Sequence, residues 1–285
     1  MDRRALIAGL AAVVGAGACG SLARAEPLAT VRQLGILRVA VYKDNRPWSW
    51  TDEQGVLRGI DVDLAKALAT ALSVKPDINE FMAGDDMAAD LRNAVWRGGL
   101  LGFKRCDVMM HVPFDKQLQQ ENDNVAICAP YYRESFAAAC GNEASNCELP
   151  PPEYKGRRLA AAVDTIPDMY LAGGFGGALR TSLIHRNTGY DAVAAIGAGT
   201  ADFAVATRAE VQAALHDMAN PQVHLRHGPL PAMMSPGWDV GMAVRENSRT
   251  LGDAIEQALA AMVADGRMAA IFGTYGVEWK PAING

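Results

Sequence analysis

No surplus of positive charge runs through this 285-residue chain: 27 lysines and arginines stand against 32 aspartates and glutamates, a net −5. A protein that grips nucleic acid needs the opposite balance to hold phosphates, so that class is excluded. Aromatics are sparse at 7% and charged residues amount to 21%, yet half of the chain is hydrophobic. That apolar mass excludes a disordered or collagen-like chain and suffices for one large domain or two ordinary ones. No apolar run reaches the ~20 residues that a membrane-spanning helix requires. The cysteine spacings are not zinc-like, and His224 and His227 among scattered aspartates form no metal array, so no metal or other cofactor is expected. Gly173-Gly174-Phe175-Gly176-Gly177 matches neither the dinucleotide fingerprint nor a P-loop, because no Lys-Ser/Thr follows it, and reads as a flexible loop.

Residues 1–25 combine Arg3 and Arg4, an apolar run from Ala5 to Ala18, and a small-x-small cleavage site at Ala23-Arg24-Ala25. The pattern predicts a secretory signal peptide and a periplasmic protein, exported by the general or the twin-arginine route. Cys19 lacks the large aliphatic residue expected before a lipid-anchored cysteine. Cleavage would leave 24 basic and 31 acidic residues, a net −7. Four cysteines remain, Cys106, Cys128, Cys140 and Cys147, and in an oxidising compartment they predict two disulfides with three pairings open. Cys140 with Cys147 would close a short polar loop; Cys106 with Cys128 would join two strand-like segments.

Hydrophobic periodicity predicts strands over 36–42, 107–112, 158–163, 203–206 and 240–244. Helices are predicted over 61–72, 87–96, 178–185 and 210–218. A last helix, led by Asn247-Ser248, carries Leu251, Ile255, Leu259 and Met262 on one face. Pro130 should end the apolar run before it, with a new strand from Ser135. Strand alternating with helix predicts α/β architecture with mostly parallel sheets, in two lobes.

The segments Leu37-Arg38-Val39-Ala40-Val41, Pro47-Trp48 and Gly59-Ile60-Asp61-Val62-Asp63-Leu64 resemble the opening of family 3 periplasmic solute-binding proteins. In the family's order there follow Asp107-Val108-Met109-Met110, Ala129-Pro130-Tyr131-Tyr132, Gly241-Met242-Ala243-Val244-Arg245 and Ala264-Asp265-Gly266. The resemblance implies a two-lobe type II binding-protein fold, each lobe a sheet flanked by helices, with two crossover strands and a ligand clamped between the lobes. Lobe 1 would comprise residues 26–133 and 229–285, and lobe 2 residues 134–228. It also implies a small-molecule ligand, an ABC importer permease as partner, and no enzymatic activity. A narrower resemblance, in Arg92-Asn93, Cys106 to Pro113 and Ala129 to Arg133, is to binding-protein-like components that accompany quinoprotein methanol or alcohol dehydrogenases. That branch implies an accessory role beside a PQQ enzyme.

Two departures bear on the ligand. Amino-acid-binding members carry an arginine roughly a dozen residues beyond the aspartate matching Asp107, to pair the ligand carboxylate, and here that stretch offers no guanidinium. Their second-lobe acid, which holds the ammonium, is replaced by Thr207-Arg208. A small polar ligand other than a standard amino acid is therefore expected.

The ligand-binding candidates lie beyond strand ends, where α/β folds collect ligands. Arg46 and Trp48 follow the first strand; Trp48 either stacks on a ligand or packs over its own loop. His111 and Asp115 follow the 107–112 strand and could hydrogen-bond a polar group, or simply satisfy loop backbone. Tyr132 and Arg133 sit at the first crossover and Trp238 at the second, with hinge packing the competing role. Thr165, Thr207 and Arg208 are the second-lobe candidates. Because the fold also hosts a dehydratase acting on cyclohexadienyl substrates, His111 and Asp115 are in addition the pair that acid–base work would use.

Overall fold

The computed structural model describes residues 27–99, 102–142 and 146–284. The signal peptide expected over residues 1–25 lies outside the described residues. Helix α1 (Pro27–Leu34) leads into β1 (Ile36–Tyr42), the short hairpin β2 (Trp50–Thr51) and β3 (Leu57–Arg58), then α2 (Ile60–Ala71) and β4 (Lys75–Phe81). Helix α3 (Met87–Leu91) continues as a π-turn over Arg92–Trp96 and is followed by β5 (Val108–Pro113), α4 (Lys116–Glu121) and β6 (Val125–Glu134). One residue later β7 (Phe136–Gly141) opens a second unit with β8 (Leu159–Ala162), α5 (Ile166–Gly173), β9 (Leu183–Arg186), α6 (Gly189–Gly197), β10 (Phe203–Thr207), α7 (Arg208–Met218) and β11 (Val223–Leu225). The chain then returns through β12 (Trp238–Arg245) to α8 (Arg249–Ala264) and α9 (Arg267–Thr274).

Two five-stranded sheets result, ordered β4-β1-β5-β12-β6 and β11-β7-β10-β8-β9. In the first, β1 pairs in parallel with β4 and β5 while β12 runs antiparallel to its neighbours; in the second, β8 pairs in parallel with β9 and β10 while β7 and β11 are antiparallel. Each sheet is buried on both faces, as a parallel core requires. In β1, Leu37, Val39 and Val41 face α2, α8 and α9, whereas Ala40 and Tyr42 face α3 and its π-turn. In β10, Ala204 and Ala206 face α6 and α7, whereas Phe203 and Val205 pack against Tyr154 and Tyr170. No helix among the described residues is long and apolar enough to cross a membrane.

Several expectations are corrected. Pro130 does not end a strand: β6 runs through it, because Ala129, Pro130 and Tyr131 bulge opposite Gly241 and the missing N–H falls where the ladder is already interrupted. Residues 178–185 are not a helix but a 3-10 turn at Arg180–Ser182 running into β9, whose pairing along the free edge of β8 overrides local helix preference. Helices α5 and α6 are additional. A disulfide joins Cys140 and Cys147, but Cys106 and Cys128 remain free thiols. They belong to the cores on opposite faces of the first sheet, and burial pushes both thiols up to about 12.

The two passages between the sheets touch. Gly237, with φ of +102°, lies so close to the other crossing that a Cβ would fall on the Glu134 carbonyl and crowd Ser135. Arg133 ties the pair by donating to Asp239 Oδ1 at 3.2 Å and to the Gly237 carbonyl at 3.1 Å. Gly237→Ala should therefore cost about 2–3 kcal/mol of stability, read as a lower urea midpoint. An unchanged midpoint would mean that the two crossings separate freely at this point.

Candidate functional site

Loops at the carboxyl ends of parallel strands from both sheets enclose a cleft of about 390 Å³. The first unit contributes Tyr42 at the end of β1 and Lys43 to Asn45 beyond it, Ala83 after β4, and His111 in β5; the second contributes Ala162 at the end of β8 and Thr165 beyond it, Asn187 to Gly189 after β9, and Val205 to Thr207 and Glu210 around the end of β10. Strand order in each sheet puts these loops side by side, which is why ligands collect there in α/β folds.

The second-unit wall is made of three helix N-termini, each capped by a threonine that lines the cleft. Thr165 accepts from the Asp168 N–H of α5, Thr188 from the Asp191 N–H of α6, and Thr207 from the Glu210 N–H of α7. The positive ends of three helix dipoles thus face the cavity. Glu210 closes the α7 capping box and spends both oxygens on its own chain: Oε1 accepts from Gly189 N at 2.9 Å, Oε2 from the Thr207 hydroxyl at 2.8 Å and Thr207 N at 3.1 Å. Burial raises its pKa against the pull of those bonds.

The opposite wall depends on a bulge. Between its pairings with Gly241 and Ala243, β5 carries extra residues at Met110 and His111, and His111 takes a φ of +62°. This turns its ring under Trp48, 4.5 Å between centroids, with Nδ1 3.5 Å from Asp61 Oδ2. Asp61, fully buried in the first turn of α2, accepts from the Tyr131 hydroxyl at 2.6 Å through its other oxygen. Burial, followed by the Asp61 charge, holds the Tyr131 phenol well above its ordinary value.

Of the residues singled out from sequence, His111, Thr165 and Thr207 line this cleft. Trp48 is buried beneath it, packed against His111, Tyr131, Tyr132 and Phe272; Tyr132 is buried and stacks on Phe272. Arg46 bridges the two units instead: it pairs with Asp217 of α7 at 2.7 Å and lies over the rings of Trp50 and Tyr190. Arg208 likewise reaches away, pairing with Glu278 at 2.7 Å. Arg133 and Trp238 belong to the crossings, the latter packed on Phe136. Asp115 caps α4 through the Leu118 N–H and lines a separate cavity, so it is not assembled with His111; the carboxylate near His111 is Asp61. Sequence reasoning passed over Tyr42, Lys43, Asp44, Asn45, Thr188 and Glu210. The repeated Thr-x-x-acid pattern at Thr165, Thr188 and Thr207 was a usable signal, since it marks helix starts.

Glu134 closes the first crossing beside this wall. It is fully buried with Oε2 unpartnered, accepts from Ser135 N at 2.8 Å, and faces the α7 N-terminus, Tyr132, Arg208 and Glu210. Burial first, then the Glu210 charge, raises its pKa to about 8 from an ordinary 4.5. The folded state therefore holds a proton that the unfolded chain releases, so this carboxyl favours folding fully below pH 4.5 and progressively less up to pH 8. Glu134→Gln should gain on the native chain by on the order of 3–5 kcal/mol across that window, measured by denaturant unfolding at its two ends. A difference independent of pH would contradict the buried, protonated carboxyl.

Residues 37–96 match the family model described as bacterial extracellular solute-binding proteins, family 3. Among solved structures, the chain is similar over 87% of its length to 99% of an ancestral cationic amino acid solute-binding protein, at 20% identity and a TM-score of 0.66. It is similar over 85% of its length to 98% of an ancestral arginine-binding protein bound to arginine, at 22% identity and a TM-score of 0.58. A histidine kinase sensor domain with similarity to periplasmic binding proteins aligns over 86% of this chain and 98% of its own, at 20% identity and a TM-score of 0.59. No curated protein matches the sequence. The fold is the two-lobe binding-protein fold, with the cleft between the lobes.

Proposed function

We propose that this chain is a periplasmic solute-binding protein of the family 3 type, non-enzymatic, whose two lobes clamp one small polar molecule. The observation that carries the reading is the cleft itself: it takes its walls from the strand ends of both sheets, has room for a metabolite-sized ligand, and sits in a chain whose residues 37–96 match the family model. His111, Thr165 and Thr207 are the proposed ligand contacts among the residues expected from sequence, with Tyr42, Lys43, Asn45 and Thr188 added by the geometry. Trp48 and Asp61 position His111, with Tyr132 packed behind Trp48. Arg46, Arg133, Arg208 and Trp238 set the relation of the lobes.

The ligand we favour is not a standard amino acid. Among the described lining residues there is no arginine to receive a carboxylate in bidentate fashion, and the one second-lobe acid, Glu210, is engaged by its own backbone. The Thr188 hydroxyl and three helix N-termini favour a neutral or mildly anionic molecule rich in acceptor oxygens, while the Thr165 and Thr207 hydroxyls, which donate to the Ala162 carbonyl and Glu210 Oε2, meet it as acceptors. An accessory role beside a quinoprotein dehydrogenase, through protein contacts, is the second reading. It is favoured by the ion pairs that tie the lobes directly to each other, Arg46 with Asp217 and Arg208 with Glu278.

A thermal-shift screen of alcohols, organic acids and amino acids on the mature chain tests the first reading. At least one polar, non-zwitterionic compound should raise the melting temperature by several degrees. His111→Gln should weaken that compound about tenfold, or ~1.4 kcal/mol. A screen without a hit, together with co-purification with a quinoprotein dehydrogenase, would replace solute capture by the accessory role.

A further inference from the structure

A second cavity, of about 560 Å³, opens at the far end of lobe 1 from the cleft. Strand β12 runs antiparallel to β5, so its last residue, Arg245, emerges at the end of the sheet opposite the cleft-facing loops. There it lines the cavity together with Arg105, Trp96, Asp123, Asn124, Glu246 and Asn247. The Nε of Arg245 is buried and has no hydrogen-bond partner, and neither guanidinium forms an ion pair among the described residues. Burial and the neighbouring Arg105 charge both lower the Arg245 pKa, opposed only by Asp107, whose carboxylate already accepts from Arg38 N at 3.0 Å. Two carboxylates line the same cavity. Glu246 is held by Arg249 through bonds of 2.8 and 2.9 Å, and Asp123 is exposed at the rim. Two guanidinium groups, one of them partly desolvated, therefore share this cavity with two carboxylates and are ion-paired with neither among the described residues.

We propose that this cavity is a binding site for a phosphate monoester, held between Arg105 and Arg245, and independent of the interlobe cleft. Two facing cations call for an anion that is close to doubly charged at neutral pH and offers several acceptor oxygens to two guanidinium forks, which a phosphate monoester does. The space beyond the arginines exceeds what an inorganic phosphate fills, and Trp96 supplies an aromatic wall for the organic part. The same headgroup chemistry could arrive free in solution or on a lipid.

The test follows the Arg245 Nε–Hε resonance of the full mature chain during titration with glycerol 3-phosphate and, separately, with vesicles containing phosphatidic acid. A saturable shift below about 20 mM is expected, weakened at least tenfold by Arg105→Gln and strengthened several-fold by Asp123→Asn, which removes the competing charge. Response to the free ester assigns a soluble ligand, and response to vesicles alone assigns a membrane headgroup; either supports the site. No saturable shift in either arm, or equal affinity in Arg105→Gln, overturns it. The readout sits at Arg245, so neither result depends on whether the cleft captures a solute.

Discussion

Helix α7 belongs to both lobes at once, and the geometry of the cleft depends on it. Ala209 and Ala213 are buried in the core of lobe 1, while Val211 and Ala214, on the other side of the same helix, are buried in the core of lobe 2. The small side chains let the helix lie close against both surfaces. Around this seam, Arg46 grips Asp217, Arg208 grips Glu278, and Gln212 accepts from Glu278 N at 3.1 Å, while Gly276 gives the His216 ring its space. The N-terminus of the same helix, with Thr207 and Glu210, is a wall of the cleft. Any change in the angle between the lobes must therefore repack a seam of alanines and break two ion pairs. The C-terminal segment adds to that restraint, because Trp279, Lys280 and Asn284 bond to Tyr131, Arg133 and Asp239 on the crossing strands.

The opposite wall is built by irregularity. Strand β12 lies between two bulged partners, and Gly241 lets the β6 bulge approach, since a Cβ there would press on the Cys128 carbonyl. The bulges put His111 and Ala129 in the left-handed region and bring His111 and Tyr131 onto one buried carboxylate, Asp61. A regular ladder would point these side chains along the pleat instead. Asp61 Oδ2 and His111 Nδ1 both lack a hydrogen-bond partner at their 3.5 Å separation, so this wall is held by packing under Trp48 more than by polar bonds.

How much of this was legible in the sequence varied with the kind of signal. The apolar runs of β1, β10 and β12 and the four-residue spacing in α2 and α8 mark their elements directly, the runs because both faces of each sheet are buried. The two-lobe arrangement came from residues spread along the chain. Which way a loop side chain points was not legible: Arg46 and Arg208 stand next to cleft residues in sequence, yet each turns to a carboxylate across the lobe interface. Cysteine counting likewise misled at Cys106 and Cys128, since an even number says nothing about opposite faces of a sheet. Thr188 was missed although its capping pattern is local, because α6 is rich in alanine and glycine, small residues that do not by themselves mark a helix.

A crystal structure of residues 26–285 grown with the compound that stabilises the protein most tests directly whether the cleft between the lobes is the solute site. That compound should lie between His111 on one side and Thr165, Thr188 and Thr207 on the other, with α7 unmoved against both cores. A compound bound elsewhere, with the cleft still filled by water, would contradict it.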